Sequence, residues 1–166
     1  MPDWEALGID IGGVIIDRVR EDGGAPTSAS YAGVVAVEGA FEAIADLVRR
    51  RFGERVWLVS RCDEPAEPVL LEWLERRRFF GVTGVARERV RFCRRRHEKA
   101  AICRQLRITH FVDDRLEVLG HLVGVVPHLY LLESRAADVE RFRDVLPRVG
   151  RMPTWRDVVV ALLPAR

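Results

Sequence analysis

The strongest constraint on the fold is a regular alternation of short apolar runs with longer amphipathic runs. The apolar runs have the length and the β-branched content of buried strands. Strands separated by helices form right-handed βαβ units and a parallel sheet that helices cover on both faces. We therefore expect an α/β fold with a parallel sheet of about five strands. The strand-like runs are residues 6–16, 55–62, 89–93, 109–114 and 127–133.

The amphipathic segments carry apolar residues at the three- and four-residue spacing of helices. In segment 38–53, for example, Phe41, Ile44, Leu47 and Val48 recur at this spacing. The chain has 166 residues, of which 48% are hydrophobic, and no linker divides it. This length suits one domain with a real core, and we expect a single domain over residues 1–166. The other helix-like segments are residues 65–80, 96–108, 115–124, 136–149 and 154–163.

Composition excludes several functional classes. The net charge of +2 by itself indicates no polyanionic partner, and the apolar runs are too short to span a membrane. The N-terminal residues lack the pattern of a signal peptide. The three cysteines form no CxxC pair, and the four histidines lack metal-ligand spacing. We expect a cytoplasmic protein with reduced thiols.

A few polar residues follow the predicted strands, where ligands bind parallel sheets. Asp10 follows the first strand beside glycines that allow a ligand to approach the backbone. Ser60 ends the second strand, and Asp113 and Asp114 end the fourth. Lys99, near the start of a helix, is the single lysine among 27 basic residues and is placed to hold an anion. These residues define the candidate site.

The residue types indicate phosphate chemistry. Two adjacent carboxylates at a buried strand end repel each other unless a cation lies between them. Three acids with backbone oxygen and water make a hard oxygen site that suits Mg²⁺. A cation, a lysine and a hydroxyl that converge on a phosphate favour phosphoryl transfer to a carboxylate nucleophile.

The order Asp10, Ser60, Lys99, Asp113–Asp114 resembles the four motifs of the haloacid dehalogenase (HAD) superfamily, over about residues 7 to 133. Most members are Mg²⁺-dependent phosphatases, so the resemblance implies a three-layer, Rossmann-like domain that hydrolyses a phosphorylated substrate.

The resemblance also implies roles by position. The expected catalytic residues are Asp10, as nucleophile, and Lys99. The expected phosphate-binding residues are Ser60, Arg61, Lys99 and Gly13. The expected Mg²⁺ ligands are Asp10, Gly12 through its carbonyl, Asp113 and Asp114.

Gly12 departs from the family pattern, in which a second Asp usually follows the nucleophile by two residues. That Asp protonates the leaving alcohol and then activates water, and such acid–base help is typically worth about 10²–10⁴ in rate. Three readings stay open. Another acid downstream, such as Asp17, Glu21 or Asp22, takes over; the leaving group needs no proton; or the protein binds phosphorylated ligands with little turnover.

The usual place for a cap over such a site, residues 17–38, is only about 20 residues long and reads as a loop or small flap. We expect no large cap domain. An open site suits a large substrate, and the arginine clusters at residues 76–78 and 87–96 suit nucleic acid or a phosphoprotein. The alternative, which is favoured, is that these arginines are simply solvated side chains in an arginine-rich protein and bind no such partner.

Two other families share parts of the pattern. Actin-like and sugar kinases carry a similar "GIDIGG" stretch, but in a fold about twice this length, usually with Thr where this chain has Val14. Response-regulator receivers carry their acid pair on the first strand, whereas here it is on the fourth. The two hypotheses that remain are a phosphohydrolase acting through Asp10 and a weakly catalytic phosphate-binding module.

Overall fold

The computed structural model describes residues 4–18 and 27–165, and the strands within them form one six-stranded sheet. All pairings are parallel, and the strand order is β3-β2-β1-β4-β5-β6. The order reverses beside β1, which lies between β2 and β4. The strands are β1 Leu7–Ile9, β2 Val56–Arg61, β3 Val90–Cys93, β4 His110–Asp113, β5 His128–Leu132 and β6 Gly150–Met152.

Helices cover both faces of the sheet and produce two separate hydrophobic clusters. On β2, Leu58 belongs to one cluster and its neighbour Val59 to the other, as the alternation of side chains along a strand requires. The three-layer fold expected from the sequence is confirmed. The helices are α1 Ser28–Tyr31, α2 Ala40–Leu47, α3 Ala66–Arg76, α4 Phe79–Thr83, α5 Lys99–Gln105, α6 Leu116–Leu122, α7 Ala136–Arg141 and α8 Trp155–Leu162.

The register of the central strands brings the candidate site together. Ile9 pairs with Leu58 of β2 and with Val112 of β4, so the residues that follow lie at one edge. The backbone N–H of Asp10 donates to the carbonyl of Val112 at 3.1 Å, which joins the ends of β1 and β4. Ligand sites of such sheets lie at this edge, where the strand order reverses.

The sequence prediction missed one strand. β6 pairs with β5 where no strand was expected, because its three residues show no apolar alternation and lie at the sheet edge. The predicted helix 136–149 is also shorter: α7 ends at Arg141, and a 3₁₀ segment with Pro147 follows over Arg143–Arg148. Proline lacks the N–H that would continue an α-helix.

Two other predicted bounds were wrong. The first strand ends at Ile9 rather than at residue 16, because the carbonyl of Ile11 accepts from the N–H groups of Val14, Ile15 and Ile16 and closes a tight turn. Between β2 and α5 the chain forms two helices, α3 and α4, where one helix was expected. These elements pack on the sheet, and the described residues contain no large cap domain.

The predicted flap over residues 17–38 is described in part. Ile16 forms an antiparallel bridge with Ala36, and the N–H of Asp17 donates to the carbonyl of Val35 at 2.9 Å. Residues 19–26, including Glu21 and Asp22, lie outside the described residues. Among the residues described, no helix has the length and apolar character to cross a membrane.

Candidate active site

Asp10, Lys99 and Asp113 form a buried ion-pair network at the carboxyl edge of the sheet. The Nζ atom of Lys99, the first residue of α5, lies 3.0 Å from Oδ1 of Asp10 and 2.9 Å from Oδ2 of Asp113. Asp10 is 7% exposed and Lys99 is 1% exposed. One lysine thus joins the end of β1 to the end of β4, and the structure brings these three predicted residues into direct contact.

The network shifts the pKa values of Asp10 and Lys99. Burial, followed by repulsion from Asp113, raises the pKa of Asp10 to about 7, and the Lys99 charge opposes this shift. For Lys99, burial acts to lower the pKa, but the charges of Asp10 and Asp113 outweigh it and raise the pKa. The lysine therefore stays protonated and opposes the rise in the pKa of Asp10.

Asp114 is the least satisfied polar group of the site. Its carboxylate is buried, and neither oxygen accepts a hydrogen bond from the described residues. The Nη2 atoms of Arg18 and Arg135 lie 3.4 and 3.6 Å from Oδ2, as ion pairs without hydrogen-bond geometry. Burial and then Asp113 raise the pKa of Asp114 to about 6, while Arg18, Arg135 and Arg115 oppose the rise. A buried carboxylate in this state has unused ligand capacity.

The three acids fit a divalent cation. One carboxylate oxygen from each of Asp10, Asp113 and Asp114 lies within 4.8 Å of the others, and all three residues are buried. Hard cations such as Mg²⁺ prefer carboxylate oxygens, and a cation here would offset the repulsion that raises the two pKa values. The donor set and the unsatisfied oxygens of Asp114 thus agree with the predicted metal site.

The two glycines after Asp10 have different environments. Gly13 has a φ of +78°, and a Cβ there would lie 2.2 Å from Oδ2 of Asp114. A side chain at Gly13 would therefore displace a candidate metal ligand. At Gly12 a Cβ would have no heavy atom within 4 Å. Space for a second carboxylate exists at Gly12, so packing does not explain its absence.

Ser60 and Arg61 end β2 at the same edge. Ser60 is buried, and its backbone carbonyl faces the Sγ atom of Cys93 at 3.8 Å. Arg61 is exposed, and its Nε donates to the carbonyl of Arg94 at 3.2 Å. The phosphate-binding roles of Ser60, Arg61 and Gly13, and the metal carbonyl of Gly12, stay predictions.

Sequence reasoning missed Arg18 and Arg135. Arg135 follows β5, so the same strand-end rule that selected Asp10 would have selected it had it been applied to the fifth strand. Burial, and then the charges of Arg115 and Arg18, lower the pKa of Arg135. No sequence signal marks Arg18, which reaches Asp114 only because the turn after β1 folds back.

Three solved structures share this fold. D,D-heptose 1,7-bisphosphate phosphatase from B. bronchiseptica, complexed with magnesium and phosphate, has a TM-score of 0.68 at 15% identity, over 96% of this chain and 98% of that chain. The phosphatase of the same name from Burkholderia thailandensis has a TM-score of 0.61 at 17% identity, over 98% of this chain and 100% of that chain. A HAD family hydrolase from Deinococcus radiodurans R1, with bound phosphate and sodium, has a TM-score of 0.63 at 14% identity, over 98% of this chain and 99% of that chain.

The chain therefore has the fold of HAD-family hydrolases, and the resemblance inferred from the sequence is confirmed at the level of the fold. No family model matches the sequence, and no curated protein matches it.

Proposed function

We propose that the chain is a Mg²⁺-dependent phosphohydrolase in which Asp10 is the nucleophile. The observation that carries this proposal is the buried group of three carboxylates, two of which Lys99 bridges, where the strand order reverses. The shared fold adds support, since the three similar structures are a hydrolase and two phosphatases.

Asp10 attacks the phosphorus atom, and the bond between phosphorus and the leaving oxygen breaks. Because Lys99 contacts Oδ1 of Asp10, we assign the attack to Oδ2. Lys99 opposes the rise in the pKa of Asp10 and orients its carboxylate, and Ser60 and Arg61 bind the phosphoryl oxygens. The N–H of Gly13 donates to the carbonyl of Ile16 at 2.8 Å, so Gly13 serves by leaving space beside Asp114. Water then releases phosphate from the aspartyl-phosphate. Mg²⁺, held by Asp10, Gly12, Asp113 and Asp114, would neutralise charge that develops on the phosphoryl oxygens.

Gly12 supplies no proton to the leaving oxygen. Asp17, the first described acid downstream of Gly12, is exposed, and its carboxylate accepts from the N–H of Arg18 at 2.8 Å. We therefore propose that the preferred substrate has a leaving group that departs as an anion, such as an acyl phosphate.

The second candidate function is a phosphate-binding module with little turnover, and the glycine at position 12 favours it. The two candidates share the binding site and differ in the fate of the bound phosphoryl group. Activity measurements therefore separate them.

The first test measures hydrolysis of acetyl phosphate and p-nitrophenyl phosphate with Mg²⁺. We expect wild type to be active and Asp10→Asn to lose about a thousandfold or more, as nucleophile removal does in other enzymes. Asp144→Asn, at an exposed position remote from the acids, is the matched control and keeps wild-type activity. Unchanged activity in Asp10→Asn would remove Asp10 from the nucleophile role.

The second test restores the missing carboxylate with Gly12→Asp, for which the structure has room. We expect p-nitrophenyl phosphate hydrolysis to rise by up to about 10²–10⁴, and acetyl phosphate hydrolysis to rise far less. Gly12→Asn controls for size without a proton. A wild type inert on both substrates that Gly12→Asp activates would favour the binding module.

We propose a phosphorylated small molecule as the substrate rather than nucleic acid or a phosphoprotein. Among the nine arginines of the two clusters, Arg76 pairs with Glu72, Arg87 with Glu75, Arg94 with Glu67 and Arg96 with Glu117. These ion pairs offset part of the positive charge that a polyanion would contact. The names of two similar structures also specify a sugar bisphosphate.

We place the protein in the cytoplasm. Its three cysteines are unpaired, buried thiols, and such thiols persist in a reducing compartment.

A further inference from the structure

We propose that Arg18, Arg115 and Arg135 form a second anion-binding subsite beside Asp114. This subsite would select substrates that carry a further phosphate or carboxylate close to the phosphoryl group. The inference rests on the proposed function for the identity of the first anion, which binds at Asp10.

The guanidinium groups of Arg18 and Arg135 meet at Asp114. Arg18 and Arg135 approach its Oδ2 from two different segments, the turn after β1 and the loop after β5. Arg115 adds a third charge from the residue next to Asp114. The Nε atom of Arg135 is buried and has no hydrogen-bond partner among the described residues. A buried, unpaired N–H donor of this kind calls for an acceptor.

The loop after β5 holds this arrangement in a strained conformation. Glu133 has a φ of +48°, in the left-handed region that favours glycine. Its carbonyl accepts a hydrogen bond from Nη2 of Arg18 at 3.1 Å, and Arg135 follows two residues later. One turn thus positions both arginines. Strained backbone of this kind concentrates at ligand sites.

The charges around the subsite do not balance once Asp114 serves as a metal ligand. Besides Asp114, the acid that acts on Arg135 is Asp138, whose carboxylate already accepts from the N–H of Leu116. Asp114 would then hold the metal, and the other acid that acts on Arg135 is already engaged. Guanidinium groups bind phosphate and carboxylate through paired N–H donors, so the remaining positive charge fits a second anion.

The position of the subsite limits the size of the ligand. Ser60 lies on β2, on one side of β1, whereas Arg135 follows β5 on the other side. Asp114 lies within 4.8 Å of Asp10 and contacts Arg18 and Arg135 directly. The two anions would be only a few bonds apart, as in a small molecule.

The test measures binding by calorimetry with Mg²⁺ in an Asp10→Asn background, which prevents turnover. The probes are glycerol 3-phosphate, 3-phosphoglycerate and glycerol 1,3-bisphosphate, which carry no second anionic group, a carboxylate and a second phosphate, respectively. We expect at least one probe with a second anionic group to bind about tenfold tighter than glycerol 3-phosphate. This gain corresponds to one charge-assisted contact. The probe that gains identifies the second anion.

Arg135→Gln and Arg18→Gln should each reduce this preference to about twofold or less and leave glycerol 3-phosphate binding unchanged. Arg76→Gln, which removes an exposed arginine at the end of α3, is the matched control and keeps the preference. The proposal is overturned if the protein with Arg18 and Arg135 intact shows no preference for a probe with a second anionic group. It is equally overturned if this preference survives both substitutions. It is also overturned if both variants weaken all three probes equally, since the arginines would then bind the transferring phosphoryl group.

Failure of the proposed function is distinguishable. If the preference holds but the protein with Asp10 intact hydrolyses no phosphorylated substrate, only the proposed function fails. Suppose instead that the protein with Asp10 intact hydrolyses substrates with one and with two anionic groups at equal kcat/KM. If the arginine variants leave that equality unchanged, only the subsite fails.

Discussion

The two ends of strand β4 bury polar side chains in opposite ways. At its first residue, His110 is buried, with Nδ1 2.8 Å from Oγ1 of Thr109 and Nε2 3.4 Å from Nη2 of Arg51. Its ring stacks on His128 at a centroid distance of 4.5 Å. At the other end, Asp113 and Asp114 lie beside Asp10, and Lys99 bridges Asp10 and Asp113. Every ring nitrogen of His110 has a partner, whereas Asp114 has no hydrogen bond among the described residues.

This difference separates burial that serves stability from burial that prepares a ligand site. Paired polar groups at the amino end specify packing and need no added component. Unpaired like charges at the carboxyl end cost free energy, and natural proteins keep such groups where a ligand or substrate supplies the missing partner. The contrast predicts that substitutions at the two ends differ in how much they change stability and in whether Mg²⁺ alters the result.

The largest effect on stability is expected for Lys99→Met. Removing the lysine leaves Asp10 and Asp113 as buried charges without a partner, and breaking a buried pair typically costs about 3–5 kcal/mol. Urea unfolding without divalent ions measures the loss, and Mg²⁺ should restore part of it.

Arg51→Met is the matched control at the amino end, where the Arg51–Glu5 ion pair is partly exposed. We expect a loss of about 1 kcal/mol, as for exposed pairs. If Lys99→Met were no more destabilising than Arg51→Met, the buried charges at the carboxyl edge would not be the costlier ones for stability.

The next effect concerns the adjacent glycines. Gly13→Ala should destabilise the protein by about 1–2 kcal/mol because Gly13 has a left-handed backbone conformation. The loss should be larger still because the Cβ of the alanine would press on Asp114. The rise in Tm that Mg²⁺ gives wild type should disappear. Gly12→Ala should stay within about 0.5 kcal/mol of wild type. Equal effects of the two alanines in thermal unfolding would contradict this assignment of space.

A smaller change of opposite sign is expected for Asp114→Asn. Replacing an unsatisfied buried carboxylate with a neutral amide should raise stability without metal by about 1 kcal/mol, a trade-off common at functional sites. The same variant should gain no stability from Mg²⁺.

Asp138→Asn provides the contrast, because Asp138 accepts a hydrogen bond from the N–H of Leu116. We expect it to lose about 1 kcal/mol. A strongly destabilised Asp114→Asn would mean that Arg18 and Arg135 already satisfy the carboxylate.

The sequence predicted the fold and the acid cluster for a physical reason. Strands buried on both faces are apolar throughout, so a polar residue at the end of such a run is conspicuous. Asp10, Asp113 and Asp114 were found in this way. Lys99 was found because it is the single lysine of the chain.

Other features depend on contacts that local patterns do not encode. β6 is three residues long and exists because it pairs with β5. The bridge from Lys99 to both Asp10 and Asp113 is set by how α5 packs between strand ends. Arg18 reaches Asp114 across 96 positions of sequence, and in an arginine-rich chain its residue type carries no signal.

The last test concerns the amino end of β4 and varies the pH. Burial, followed by the charges of Arg51 and His128, lowers the pKa of His110 from its ordinary value of 6.5 to about 4. Between these values the unfolded chain binds a proton that the folded chain does not, so stability falls as pH drops from about 6.5 to about 4. His110→Gln should remove this component, so its free energy of unfolding should change less with pH than that of wild type in urea titrations over this range. Parallel curves for the two proteins would mean that His110 is protonated in the folded state as readily as in the unfolded chain, and that the amino end is not the satisfied one.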